Sequence, residues 1–203
     1  MKKNFKKIFL KLILSSLFLM LLGCGSSPKT NFYLLSAQRD VDVSVTENLS
    51  IGVWAVKLPE LIDRPEIVTR TGAFTINRAD FHRWASGLSS NVSSLIANEL
   101  STNFQTSHVD VSPWSSYRKF DYQVKVHIRT FLGELGKQTV LDGGYVILNG
   151  KGNKKLAEEA FSLKAKTPGN TYQDMASSMS ELVVALSNKI SETIALRIKQ
   201  KAK

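Results

Sequence analysis

The chain has three histidines, His82, His108 and His127, and these are the first residues to test for chemistry. Histidine serves as a general base or a metal ligand, but a helix-borne zinc site needs a second ligand three or four positions away. None of the three has a histidine at that spacing, and HExxH is absent. His127 falls on the polar side of an alternating stretch, where a solvated side chain is expected. Serines are numerous, yet no G-x-S-x-G nucleophile elbow occurs. Ser89, Ser90, Ser93 and Ser94 follow the polar face of a helical pattern and read as surface. The carboxylates are scattered, with no pair in a glycosidase-like context. Gly150-Lys151-Gly152 lacks the preceding spacing of a phosphate loop. The expectation is therefore no catalytic residue, no metal, no cofactor and no enzyme activity. Met175 and Met179 read as core.

The single cysteine, Cys24, has a different chemistry in view. Lys2, Lys3, Lys6, Lys7 and Lys11 precede an eleven-residue run, Leu12 to Leu22, broken only by Ser15 and Ser16. A membrane span needs about 20 apolar residues, so this run has signal-peptide proportions. It ends in Leu21-Leu22-Gly23-Cys24, a bacterial lipobox. That pattern implies diacylglyceryl attachment to the Cys24 sulfur, cleavage after Gly23 and acylation (palmitate) of the new terminus. Several acyl chains anchor stably where one does not. Gly25, in place of the Asp associated with inner-membrane retention, points to outer-membrane sorting. The expected organisation is a signal peptide at 1–23, a lipidated tether at 24–30 and one domain at 31–203. Loss of the five leader lysines lowers the net charge from +10 to +5. This modest positive balance fits an anionic lipid surface or an acidic partner. Nucleic acid is not an expected partner, since no recognition motif is present.

The elements that would position these residues follow from periodicity. Strands are expected at Asn31–Ala37, Leu49–Lys57 and Ile67–Thr69, the last in a hairpin with Ala73–Asn77. Leu88, Val92, Leu95, Ile96, Leu100 and Phe104 share a helical face, which predicts a helix over 88–104 with Ser86 as its cap. A start near Ala79 is a second reading. Ser107–Val111 is a short strand. In Asp121–Leu132, Tyr122, Val124, Val126, Ile128, Thr130 and Leu132 alternate with polar residues, so one face is core and the other is wet. Thr139–Asn149 is a strand with a bulge at Gly143-Gly144. Ala157–Thr167 fits helix or strand, its second half strand. A final helix over 171–199 opens on a capping box, Asn170-x-x-Gln173. Strands, helix, strands, helix make an α+β fold: a mainly antiparallel or mixed sheet with two helices packed on one face. Trp54 reads as a core anchor, while Trp84 and Trp114 suit either core or interface.

After the second strand comes Leu58 to Arg70, whose end, Ile67–Thr69, is the third strand. It holds Pro59 and Pro65 of the chain's five prolines, with Asp63 and Arg64 before the second. Two prolines this close forbid a regular helix and favour an extended, turning path. Leu58, Pro59, Asp63, Arg64, Pro65, Arg70 and Trp84 are the candidate partner or oligomer interface. Asp63 and Arg64 have a second reading, as braces that hold the loop to the domain.

A family resemblance runs through these same residues. Phe32-Tyr33-Leu34-Leu35-Ser36, Ile51-Gly52-Val53 with Val56-Lys57-Leu58-Pro59, Asp63-Arg64-Pro65-Glu66-Ile67-Val68-Thr69-Arg70 and Phe81-x-Arg83-Trp84-Ala85 resemble the PqiC-type lipoproteins, also described as ABC-type transport auxiliary lipoproteins. Asn91, Leu100, Pro113-Trp114 and Asp121-Tyr122 continue the pattern, and Ser86-Gly87 departs from the acidic residue and Pro that the family often has there. The resemblance implies a non-enzymatic lipoprotein on the periplasmic face of the outer membrane. It also implies a homo-oligomeric ring, an MCE-domain protein as partner and phospholipid or another lipid as cargo between the two membranes. Two alternatives of other classes are a periplasmic lipid- or peptidoglycan-acting hydrolase and a structural cell-wall-binding lipoprotein.

Overall fold

The computed structural model describes residues 28–37 and 49–201. The leader, Cys24 and most of the tether, together with the polar loop 38–48, lie outside the described residues. Among the described residues, eight strands form one mixed sheet. Its centre is an antiparallel meander of β6 (Tyr122–Gly133), β7 (Gln138–Asn149) and β8 (Lys155–Lys166). Along the free edge of β6, β2 (Ile51–Val53) pairs in parallel at Tyr122–Val124, Lys57 bridges His127, and β3 (Glu66–Arg70) meets the end at Gly133. Outside β2 lies β5 (Val109–Val111), in parallel. β4 (Ile76–Trp84) is antiparallel to β3, and β1 (Asn31–Tyr33) runs parallel along β4.

Two helices cover one face. α1 (Leu88–Asn103) packs against β2, β5 and α2 (Tyr172–Lys201), and α2 lies across β6, β7 and β8. At 1.5 Å per residue, its 30 residues span about 45 Å. The apolar stripes expected on both helices are buried, Leu88, Val92, Leu95, Ile96 and Leu100 on one and Met175 to Ile194 on the other. This is the α+β architecture that the pattern implies.

Several local expectations are corrected. The first helix does not begin near Ala79, because β4 continues to Trp84. Its N-cap is Gly87, not Ser86, and makes no side-chain bond. At α2 the capping box sits one residue later than expected. Thr171 Oγ1 accepts from the Asp174 amide at 3.1 Å, and Asp174 Oδ2 accepts from the Thr171 amide at 3.1 Å. Residues 157–166 are strand throughout.

The most consequential correction concerns β6. Val124, Val126 and Ile128 point to the helices, while Lys125, His127 and Arg129 are exposed. Ile128 then pairs with Gly143 but Thr130 with Asp142, so Arg129 is an extra residue. A bulge reverses which side chains face the core. Phe131, 1% exposed, therefore takes the core position and Leu132 turns half out. The irregularity is on β6, not at Gly143-Gly144, through which β7 is continuous. Gly143 is required opposite it, since a Cβ there would lie 2.3 Å from the His127 carbonyl oxygen.

Candidate functional site

A second bulge builds the site. The Trp54 amide donates to Val124 O and the Lys57 amide to Val126 O. Three steps on one strand thus match two on its neighbour, which leaves one residue without a sheet partner. That residue is Val56, and α1 satisfies it. Its amide donates to Ser93 Oγ at 3.0 Å, and its carbonyl accepts from Ser89 Oγ at 2.5 Å. Buried backbone groups left unpaired are costly, so these serines are structural. Ser93, only 1% exposed, corrects the reading of this helix face as surface. The bulge also places Trp54 and Lys57 together on the helix-free face of the sheet.

That face carries a groove of about 650 Å³. Lys57, Lys125, His127 and Arg129 supply positive or titratable groups, and Trp54 forms one wall. Ala55, Gly144, Val146 and Ala160 make the apolar remainder. Trp54 is 37% exposed, so it is not the core anchor expected of it. Its Nε1 donates to Gln123 Oε1 at 2.8 Å, and Gln123 Nε2 donates to Gly150 O at 2.8 Å. Lys125 Nζ stands 4.5 Å from the Trp54 ring centroid. Trp114 packs edge-on against Trp54 at 5.0 Å and against Phe120 at 4.8 Å. Phe120 in turn lies over Gly52, where a Cβ would meet the ring at 3.0 Å. Of the two carboxylates at the groove, Glu158 is ion-paired with Lys155, and Glu159 is turned to Tyr145 and Thr193.

The Leu58–Arg70 segment leaves the sheet beside this groove and returns as β3. It is more compact than the extended path expected, because the Ile62 and Asp63 amides both donate to Pro59 O, at 3.0 and 3.1 Å. Ile62 is buried, and Leu58 packs on the core. Asp63 Oδ1 accepts from the Ser89 amide at 3.3 Å, in the first turn of α1. It thereby caps a helix whose own N-cap makes no side-chain bond, and its charge suits the positive end of the helix. Arg64 is half-buried, and its Nε finds no hydrogen-bond partner. Pro65 is exposed and accepts the Trp84 amide on its carbonyl at 2.8 Å. Arg70 is exposed and donates to Ala73 O across the β3–β4 turn. Trp84, 4% exposed, is a core residue, so its side chain is withdrawn from the interface set. Leu61, 43% exposed, is an apolar surface residue of the segment that sequence reasoning passed over.

Elsewhere His82, Tyr33, Tyr172 and Tyr145 make structural contacts. His82 Nδ1 lies 2.7 Å from Tyr33 Oη, and its ring stacks on Tyr172 at 4.1 Å. His82 thus meets aromatic rings rather than a serine and a carboxylate. Tyr145 Oη donates to Glu159 Oε2 at 2.9 Å and lies 2.8 Å from Thr193 Oγ1. Burial pushes this phenol up to about 12; the Thr193 bond lowers it and Glu159 raises it further. Among the described residues, no three His, Cys, Asp or Glu side chains converge as a metal site, and no helix is long and apolar enough to cross a membrane.

A family model described as the ABC-type transport auxiliary lipoprotein component matches residues 33–191. No curated protein matches the chain. Among solved structures, an uncharacterised protein superposes with a TM-score of 0.68 at 19% identity, covering 82% of this chain and 99% of its own. A Xanthomonas campestris protein of the DUF330 family superposes with a TM-score of 0.68 at 12% identity, covering 85% and 99%. At such identities the likeness establishes a common fold.

Proposed function

Since the chain belongs to the family of ABC-type transport auxiliary lipoprotein components, we propose that it is an outer-membrane lipoprotein that serves, without catalysis, as partner to an MCE-domain protein in moving lipid between the inner and outer membranes. The observation that carries this reading is the family match over residues 33–191, which includes the whole Leu58–Arg70 segment. Cys24 holds the domain at the periplasmic face through its acyl chains. From Cys24 to the first strand at Asn31 the chain reaches at most about 25 Å, so the domain stays close to the bilayer. The protomers assemble as a homo-oligomeric ring at the outer-membrane end of the path.

In this reading Leu58, Pro59, Leu61, Arg64, Pro65 and Arg70 contact a neighbouring subunit or the MCE-domain protein. The two prolines and the Pro59 turn hold the segment in one conformation, which limits the entropy lost on docking. Asp63 contributes through the fold by fixing the segment to α1. Trp84 does the same from the core. The test is crosslinking of the lipidated protein in intact envelopes, followed by identification of the captured chains. Recovery of an MCE-domain protein is the expected result. Recovery of cell wall alone would sink the proposal.

A further inference from the structure

The groove on the helix-free face has a composition that its role in the fold does not explain. Lys57 and His127 are neighbours across a β-bridge, and Lys125 and Arg129 flank His127 on the same strand. Among the described residues, Lys57, Lys125 and Arg129 have no carboxylate within ion-pair distance. The groove's own carboxylates are engaged elsewhere, Glu158 with Lys155 and Glu159 with Tyr145. A fold that only needed solubility would not gather unpaired cations around a tryptophan held in place by Gln123. Like charges this close repel until an anion arrives.

We propose that this groove binds the headgroup of an anionic phospholipid. Lys57, Lys125 and Arg129 take the phosphate oxygens, as ammonium and guanidinium groups do in phosphate sites. Trp54 and Val146 receive the glycerol and the first acyl carbons. Tryptophan suits that boundary, with an apolar face for the chain and a polar edge already satisfied by Gln123. The volume of about 650 Å³ holds a headgroup and the upper part of the chains. A bare anion would leave the apolar strip of Ala55, Val146 and Ala160 uncovered, and a neutral lipid would leave the cations unpaired. The inference deepens the proposed lipid-transport role and rests on it for placing the protein at a membrane.

The test uses the full lipidated protein in uncharged detergent, titrated with dihexanoyl phosphatidylglycerol and followed by tryptophan fluorescence and native mass spectrometry. Saturable binding is expected, weakened at least about tenfold in the double variant Lys125→Glu with Arg129→Glu. Should that variant misfold by circular dichroism, Lys57→Gln with Lys125→Gln replaces it and is expected to weaken binding in the same direction. Dihexanoyl phosphatidylcholine, with no net charge, and glycerol phosphate, with no chains, are both expected to bind more weakly. Affinity unchanged by the substitutions overturns the proposal. So does glycerol phosphate binding as tightly as the lipid, which would mean an anion site only. A change in oligomeric mass by light scattering, with lipid affinity unaltered, also overturns it, because a second copy of the chain would then cover the groove. Envelope crosslinking separates this inference from the reading on which it rests. Partner capture without lipid binding rejects the groove alone, and lipid binding without partner capture rejects the transport role alone.

Discussion

Asp63 accepts an amide from a helix that begins 25 residues later, so this residue ties the proline segment to α1. Caps of this kind stabilise by about 1 kcal/mol. Asp63→Ala is expected to lower stability in urea by about that amount, with Asp63→Asn retaining most of it. Arg64→Ala, which removes no hydrogen bond from Nε, is expected to stay within about 0.5 kcal/mol of the parent while weakening partner capture in envelopes. The opposite assignment, stability lost at Arg64 and none at Asp63, would reverse the roles drawn for the two residues. Tyr145 leads to a pH prediction. Burial pushes its phenol up to about 12 in the folded chain, from an ordinary value of 10.0. The folded state therefore keeps a proton that the unfolded state releases. The stability this contributes is fully present below pH 10 and is lost as the pH rises toward 12. Tyr145→Phe is expected to flatten that alkaline limb in denaturation measured across the same window. An unchanged slope would show that another group causes it.

At the scale of elements, bulges decide what each strand offers. The Arg129 bulge puts Phe131 among the helices and turns Leu132 half out. Phe131→Ala is expected to cost about 3–5 kcal/mol in chemical denaturation, as for a large core side chain. Leu132→Ala is expected to cost no more than about half of that. Equal costs, or the reverse order, would contradict the shifted register. Alternation along 121–132 identifies this strand and its core face as far as Ile128, and fails beyond it. Nothing in the local residues marks Arg129 as the extra one, because a bulge is a relation between two strands. The glycine pair does signal the place, since Gly143 stands opposite the bulge, but it sits on the partner strand. The Val56 bulge is hidden for a similar reason. Its backbone is satisfied by Ser89 and Ser93, whose spacing suggests only a helix surface.

At the scale of the molecule, both helices pack on one face and leave the other to the groove and to the aromatic cluster of Trp54, Trp114 and Phe120. The proline segment leaves the sheet at that groove, after Lys57, and ends in the strand that meets the far end of β6. In the proposed function the protein is held at the membrane by Cys24 and touches its partner through the segment. The groove then offers a second, chemically distinct contact with lipid. One sheet edge thus supports both surfaces, since β6 carries Lys125, His127 and Arg129 and receives Lys57 from the segment that follows β2.

Composition, periodicity and motif order by themselves determined the α+β class, the two helical stripes, most strands and the family, because each depends on short-range pattern or on residues held in fixed order. The same signals singled out Leu58–Arg70. Only the tertiary structure decided that Asp63 caps a distant helix, that Trp84 is core and that Trp54 is not. It also brought four basic residues from two segments into one groove. Those outcomes depend on strand register and on which distant donor reaches which acceptor, and both are set by the packing of segments far apart in the chain.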